Sequence, residues 1–231
     1  MLIFLDTETT GLEPSDKICS IAVVYKEDSE VKSIYELVNE GKKIPPLASS
    51  INHITNEMLK GCPKLHDTKA YQFLQTHNDI NTTIVGHNIS FDLKMLESAG
   101  FEFYGKVIDT LRTTRHLIKE CEFFSLQFLR YELKLYKQEK EPRVAHHALS
   151  DAMTAKSLYE LLLELADESE LVRLTNEKVL LEKFEFGKYN GRYIEEISMN
   201  DRGYLEWMLG NIIDLDEDLR YSIEYFLQGK A

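Results

Sequence analysis

Cysteine is scarce and scattered in this sequence of 231 residues. The three cysteines, Cys19, Cys62 and Cys121, are odd in number and form no Cys-x-x-Cys pair. A disulfide-stapled secreted domain and a zinc ribbon are therefore excluded, because both need cysteines paired at short intervals. Unpaired thiols are typical of a reducing compartment, so we expect a cytoplasmic protein.

Long hydrophobic runs are also missing. Apolar stretches such as residues 2–5 and 21–25 are far shorter than the roughly 20 residues that cross a bilayer. The first residues lack the cationic start and apolar segment of a secretory signal. We therefore expect no membrane partner.

Phosphate-binding glycine loops and positive charge are both in short supply. Neither GxxxxGK[ST] nor GxGxxG occurs, so no nucleotide cofactor is expected. Asp and Glu number 39 against 27 Lys and Arg, a formal net charge of −12. Such a chain repels phosphates, which favours an enzyme of small molecules unless the acids bind cations.

What the sequence does contain is an alternation of apolar patterns. Runs rich in β-branched residues predict strands over residues 2–6, 17–25, 30–38, 82–86 and 106–109. Helical spacing predicts helices over residues 54–59, 67–77, 89–98, 110–119, 125–133 and 147–165. Three successive strands followed by alternating strand and helix indicate an α/β fold, a mixed five-stranded sheet flanked by helices.

The character of the chain changes near its end. Residues 1–167 form the predicted sheet domain, residues 168–183 a linker, and residues 184–231 a small α+β module. Asn190-Gly191 predicts a tight turn between two aromatic-bearing strands of this module. Its aromatic side chains are suited either to a small hydrophobic core or to stacking on unpaired bases. The module holds 10 acidic against 5 basic residues, which favours the core.

Two acids stand at the end of the first predicted strand. Asp6 and Glu8 are two residues apart, so they share one side of an extended chain. The carboxyl ends of strands are where open α/β sheets place their sites. The alternative is a turn aspartate beside an exposed glutamate.

Two further acids fall beside apolar helix stripes. Asp92 is three residues after Ile89 and four before Leu96. Asp151 adjoins a stripe of small residues that includes Ala148 and Ala152. A charge near a buried face is costly unless it is paired or bound to a metal, although the helix dipole also favours an acid in a first turn.

Oxygen ligands without a cysteine or histidine cluster suit hard cations, Mg²⁺ or Mn²⁺. Two such ions about 4 Å apart can stabilise both the attacking and the leaving oxygen of a phosphoryl displacement. Four carboxylates neutralised by two divalent ions would also offset the objection from net charge.

Three segments in order carry a family resemblance. Phe4-Leu-Asp-Thr-Glu-Thr-Thr-Gly-Leu12, Val85-Gly-His-Asn-Ile-Ser-Phe-Asp92 and His146-His-Ala-Leu-Ser-Asp151 resemble the three motifs of the DEDDh 3′–5′ exonucleases. The resemblance covers roughly residues 1–165. The stretches 184–193 and 201–209 resemble the C-terminal module of exodeoxyribonuclease X, with Arg202 where that module usually has proline.

The resemblance implies a ribonuclease-H-like fold and removal of nucleoside 5′-monophosphates from DNA 3′ ends, in repair or recombination. It assigns Asp6, Glu8, Asp92 and Asp151 to two Mg²⁺ ions, for which Mn²⁺ could substitute, and a histidine to the role of general base. It also implies that the substrate-binding residues are Thr9, Gly11, Leu12, His53 and Asn88. His53 is equally well explained as a structural histidine.

Two adjacent histidines, His146 and His147, are candidates for the general base, and helix geometry and family spacing favour different ones. If the helix included both, His147 would share the face of Asp151, four residues on. The family spacing selects His146 instead. Placing His146 in the loop before the helix reconciles them, and makes His147 a helix-start residue.

Basic residues form two groups. Arg112, Arg115, His116 and Lys119 have the spacing of one helical face, for which solvation is the favoured explanation. Lys137, Lys140 and Arg143 precede His146, and we expect them to lie on a mobile loop that carries this histidine to the substrate.

The sequence is also compatible with other functions. The motifs do not report the sugar, so an RNA exonuclease of the same family is one alternative. A proofreading subunit with a polymerase partner is another, disfavoured by the C-terminal module. A non-enzymatic nucleic-acid-binding module is disfavoured by the complete set of acids plus histidine.

Overall fold

The computed structural model describes residues 1–229. The strands are β1 (Leu2–Thr9), β2 (Ile18–Glu27), β3 (Glu30–Leu37), β4 (Thr83–Gly86) and β5 (Lys106–Asp109). The helices are α1 (Pro46–Asn52), α2 (Lys69–Thr76), α3 (Ile89–Ser98), α4 (Thr110–Leu117), α5 (Leu126–Glu132), α6 (Ala148–Leu162), α7 (Glu168–Asn176), α8 (Ile194–Asn200), α9 (Arg202–Asn211) and α10 (Glu217–Leu227). The chain divides into two compact units, one spanning Met1–Thr175 and one beginning at Asn176.

The first unit is built on one five-stranded sheet in the order β3-β2-β1-β4-β5. The pairs β1–β2 and β2–β3 are antiparallel, and the pairs β1–β4 and β4–β5 are parallel. The sheet is therefore mixed, and the predicted fold class is confirmed. Strand β1 pairs with β4 only from Leu2 to Phe4, so its second half extends beyond β4 and pairs with β2 alone.

Each face of the sheet has its own core. Ile3 and Leu5 of β1 belong to a buried cluster with residues of α2 and α3. Phe4 belongs to the opposite cluster, with residues of α5 and α6. Because side chains alternate along a strand, Asp6 and Glu8 continue the side of Phe4, and Thr7 continues the side of Leu5.

The connection between β3 and β4 differs from the prediction. Residues 54–59 were predicted as a helix, but residues 56–61 form turns and α1 lies earlier. Prolines begin α1, where a missing N–H is harmless. Hydrogen bonds across the loop stabilise this non-helical segment. The side chain of Asn56 accepts from the N–H of Ile44 (2.9 Å) and donates to its carbonyl (3.0 Å).

The segment predicted as a linker, residues 168–183, contains helix α7, whose Leu171 is buried in the core that includes α6. The boundary between the compact units, after Thr175, falls inside this segment.

The second unit has a hydrophobic core of its own. Its buried members are Phe184, Ile194, Ile197, Leu205, Met208, Leu215, Leu219 and Ile223. The predicted strand pair reduces to one bridge between Lys183 and Tyr193, because a 3₁₀ turn at Gly187–Tyr189 occupies the tip. No helix within residues 1–229 is both long and apolar enough to cross a membrane.

Candidate active site

The free end of β1 carries Asp6 and Glu8 on one side of the sheet. Asp6 lies opposite Ala22, and Glu8 lies opposite Ser20, on the neighbouring strand β2. Both carboxylates are half-buried. Strand β4 pairs with β1 only as far as Phe4, so neither acid has a β4 residue paired beside it.

Asp92 reaches the same edge from α3. Its Oδ1 accepts hydrogen bonds from the backbone N–H (2.8 Å) and the hydroxyl (2.6 Å) of Thr7. Gly86 permits this approach: a Cβ there would stand 2.9 Å from the carbonyl oxygen of Leu5 and 2.5 Å from Cδ1 of Ile89. Asp92 is therefore buried and held against β1 from the side opposite to Asp6.

Asp151 arrives from the other face, one turn into α6. Ala148 and Ala152 beside it are fully buried, so the helix packs closely on the sheet. Its Oδ1 accepts a hydrogen bond from Nε2 of Gln127 (2.7 Å), and its Oδ2 accepts one from the N–H of His147 (3.2 Å). These two bonds orient the carboxylate toward β1.

These acids form a compact oxygen cluster. Ligand atoms of Asp6, Glu8 and Asp151 lie within 4.8 Å of one another. Burial, followed by the charges of Asp92, Asp151 and Glu8, raises the pKa of Asp6 well above its usual value. Burial and the charges of Asp151 and Asp92 raise the pKa of Glu8 to about 8. Such shifts are typical of functional sites.

The second pair of acids shows the same trend. Burial raises the pKa of Asp92 to about 7, against the opposing hydrogen bonds from Thr7. Burial also raises the pKa of Asp151, against the charge of His146 and the bond from Gln127. None of the ion pairs found within residues 1–229 involves these four acids.

The donor set fits a divalent cation. All donors are carboxylate oxygens, the ligands that Mg²⁺ and Mn²⁺ prefer. A divalent cation would favour the ionised form of each acid and so counteract both the burial and the mutual repulsion. Divalent-metal dependence is thus consistent with the cluster.

His146 lies in the loop before α6, as the reconciled prediction placed it. It is exposed and has φ of 55°. Burial raises the pKa of Asp151, and the charge of His146 is the largest influence that lowers it.

His147 has a structural setting. It is the N-cap residue of α6, and its ring stacks on Tyr35 at 4.5 Å between centroids. Its backbone, and not its ring, bonds to Asp151.

The predicted substrate-binding residues lie in three segments. Thr9 ends β1, and its hydroxyl donates to the carbonyl of Gly11 (2.6 Å). Leu12 is 82% exposed, so it is free to contact a ligand. His53 ends α1 with φ of 60°, and Asn88 precedes α3 with φ of 59°. These roles stay predictions.

The second basic group precedes His146 along the chain. Lys137 and Lys140 are exposed, and Arg143 is half-buried. Its Nη1 lies within hydrogen-bond distance of the hydroxyls of Thr154 (3.2 Å) and Ser157 (3.3 Å) on α6. These contacts hold the Arg143 side chain against α6. The expectation that this segment is mobile and carries His146 to the substrate stays a prediction.

The first basic group lies on or just after α4. Nε of Arg112 donates to the carbonyl of Thr175 (2.7 Å), and the Arg115 guanidinium stands over the ring of Phe124. Structural contacts therefore account for part of this group.

Supporting residues were missed by the sequence reasoning. Thr7 orients Asp92, and Gln127 orients Asp151. Asn52, which is buried, donates to the carbonyl of Thr9 (3.2 Å) and accepts from the N–H of Ile54 (3.0 Å). Of these residues, only Thr7 could have been predicted from the sequence, because strand alternation places its side chain on the face opposite to Asp6 and Glu8.

Comparison with known proteins agrees with the geometry. Residues 3–159 match the family model described as Exonuclease, and residues 184–212 match the model described as Exodeoxyribonuclease X-like C-terminal. Exodeoxyribonuclease 10 of Escherichia coli is 28% identical, with 99% of each chain aligned. DNA polymerase III subunit epsilon of Rickettsia typhi is 31% identical over 68% of this chain and 71% of its own length.

A solved structure is also similar. Exonuclease X in complex with 5′ overhanging duplex DNA superposes with a TM-score of 0.62 and 26% sequence identity, covering 76% of this chain and 100% of that one. The family match covers more than half of the sequence. The chain therefore belongs to the DEDDh 3′–5′ exonuclease family and carries an exodeoxyribonuclease X-like C-terminal segment.

Proposed function

We propose that this chain is a metal-dependent 3′–5′ exodeoxyribonuclease that releases nucleoside 5′-monophosphates from DNA 3′ ends, acting in DNA repair or recombination. The observation that carries the proposal is the convergence of four acids at one strand end. Two belong to β1, and one comes from the helical layer on each face of the sheet.

The residues of the site have separate roles in the proposed reaction. Asp6, Glu8 and Asp151 hold the cation site, and Asp92, fixed by Thr7, completes it. His146 serves as general base, because it is exposed in the loop directly before the helix that carries Asp151. When bound, two divalent ions would supply the positive charge that activates the attacking water and stabilises the leaving 3′ oxygen.

The terminal nucleotide would be bound by residues that flank the four acids. Thr9, Gly11 and Leu12 follow directly on the acids of β1, and Asn88 immediately precedes α3. His53 is joined to this edge through Asn52, which bonds the carbonyl of Thr9. We propose that these residues orient the last nucleotide so that its phosphodiester meets the acids.

DNA is the proposed substrate because of the relatives. Exodeoxyribonuclease 10 of Escherichia coli aligns over the whole chain, C-terminal segment included, and the similar exonuclease X structure holds duplex DNA. The similarity to a polymerase subunit covers 68% of this chain. We therefore favour a DNA exonuclease that acts without a polymerase partner over a polymerase-bound subunit or an RNA exonuclease.

The test is a digestion of 5′-labelled oligonucleotides. Single-stranded DNA, duplex DNA with an overhang and RNA are incubated with Mg²⁺, with and without chelator. A ladder that shortens from the 3′ end of DNA, and vanishes with chelator and in Asp151→Ala, is the expected result. Cleavage that survives both treatments would overturn the proposal, and preferred digestion of RNA would redirect it to the RNA alternative.

A further inference from the structure

Arg130 is a buried cation of α5 that the proposed reaction does not use. It is 4% exposed, and the side chain of its partner Glu139 is also 4% exposed. The two make a fork: Nε donates to Oε1 (2.7 Å) and Nη2 to Oε2 (2.6 Å). A buried ion pair is seldom kept for stability alone, because desolvation offsets most of the attraction. The further contacts of Arg130 point to a second role.

One arm of the guanidinium leads to Asp151. Nη1 donates to Oε1 of Gln127 (3.0 Å), and Nε2 of Gln127 donates to Oδ1 of Asp151 (2.7 Å). A guanidinium can only donate, so the amide oxygen of Gln127 must face Arg130. The amide NH₂ is then forced toward the carboxylate. Arg130 thereby fixes the amide orientation that holds Asp151 in place.

The same guanidinium also holds the loop that ends at His146. Nη1 donates to the carbonyl of Arg143 (3.0 Å), and the fork holds Glu139 at the start of the same stretch. Arg143 in turn lies 3.9 Å from Glu139 and within hydrogen-bond distance of Thr154 on α6. Both ends of residues 139–143 are therefore attached to the helices beneath them.

We infer that Arg130 is a positioning residue that sets the metal ligand Asp151 and the base His146 relative to each other. The inference rests on the proposed function. It assigns Gln127 as the link to the acid, and Glu139 with the Arg143 carbonyl as the link to the histidine loop. Lysine could keep the charge, but a single ammonium lacks the rigid fork that reaches Glu139, Gln127 and the loop together.

The test compares Arg130→Lys, Glu139→Gln and Gln127→Met in the full chain. Mn²⁺ affinity is measured by the loss of the free-ion spectrum in electron paramagnetic resonance. Outer partners of metal ligands change affinity by about 10–100-fold. We expect about tenfold weaker Mn²⁺ binding in Gln127→Met and Arg130→Lys, and near wild-type binding in Glu139→Gln. Turnover should fall at least about tenfold in all three.

A second readout isolates the histidine link. In a His146→Ala background, Glu139→Gln should cost less than about twofold further activity, since its effect acts through His146. Leu74→Ala, in the core on the opposite face of the sheet, serves as a control of comparable thermal destabilisation and should leave Mn²⁺ affinity unchanged.

Wild-type affinity in Gln127→Met and Arg130→Lys, or additive losses in the double variant, would overturn the inference. So would equal loss of affinity in Leu74→Ala, which would mark the effect as general destabilisation. If wild type itself binds no Mn²⁺ and digests no DNA, the proposed function fails first, so the two failures are distinguishable.

Discussion

Acidic residues have different surroundings in the two compact units. In the first unit, Asp6, Glu8, Asp92 and Asp151 lie together with raised pKa values and no ion-pair partner among residues 1–229. In the second, several acids form exposed ion pairs with basic side chains. Among these pairs are Lys188–Asp201, Arg192–Glu196 and Arg202–Glu206.

This difference separates two uses of acidic residues. Repulsion among buried acids costs folding free energy, and a protein keeps such a cluster where function requires it. Exposed pairs each contribute at most about 1 kcal/mol and carry no comparable signal. The acidic excess of the whole chain therefore has a different meaning in its two parts.

The largest expected effect is that of Glu8→Gln. Activity with Mg²⁺ should fall at least about a thousandfold, roughly 4 kcal/mol of transition-state stabilisation, because a cation ligand is lost. Without divalent ions, the same substitution should increase the stability of the folded protein at high pH. The pKa of Glu8 is raised from 4.5 to about 8, so wild type loses stability as pH rises through this window, and glutamine does not.

Thermal unfolding in chelator at pH 4 and pH 8 measures this second effect. Glu8→Gln should unfold a few degrees above wild type at pH 8, at about 2–4 °C per kcal/mol, and close to wild type at pH 4. A variant that is less stable than wild type at pH 8 would show that the ionised Glu8 carboxylate does not destabilise the folded protein.

Next in size is the difference between the adjacent histidines. His146→Ala should lower turnover by about 10²–10⁴-fold, the range for loss of a general base. His147→Ala should lower it less than about tenfold but reduce stability, because the ring packs on Tyr35. Single-turnover rates and melting temperatures of both variants distinguish these outcomes, and equal rates would remove His146 from its role.

A moderate effect is expected from Gly86→Ala. The new methyl would press on Leu5 and Ile89 and cost about 1–3 kcal/mol, displacing α3 and with it Asp92. We expect about tenfold lower activity, since such a barrier change is about 1.4 kcal/mol. Gly203→Ala in α9 is the matched control, because nothing lies within 4 Å of a Cβ there. Loss of activity in Gly203→Ala but not in Gly86→Ala would contradict this account.

The smallest effect is expected in the second unit. Glu196→Gln breaks the exposed pair with Arg192 and should leave the melting temperature close to that of wild type, with activity within about twofold of wild type. It is the counterpart of Glu8→Gln, the same substitution at a paired exposed site. A loss of activity comparable to that of Glu8→Gln would erase the distinction between the units.

The sequence predicted much of this architecture, for reasons that particular residues illustrate. The five strands were evident because β-branched runs form them, and Asp92 was conspicuous because a charge interrupts an apolar helix stripe. The start of α6 after His147 agrees with the loop position predicted for His146.

The remaining features depend on contacts distant in sequence. Asn56 stabilises a loop through Ile44, so local spacing wrongly suggested a helix there. Gln127 meets Asp151 across 24 positions, and no local pattern marks that amide. The hydroxyl partners of Arg143 lie on α6, so no local pattern before the histidines marks these contacts.

Cation binding at the acidic cluster is measured most directly by following thermal unfolding against Mg²⁺ concentration at pH 8. A ligand that binds only the folded state raises stability with the logarithm of its concentration. Wild type and Glu196→Gln should gain stability in parallel and release protons on binding, because the acids must ionise. Asp6→Asn should show little or no gain. An equal rise in Asp6→Asn, or none in wild type, would contradict the assignment of this cluster as the metal site.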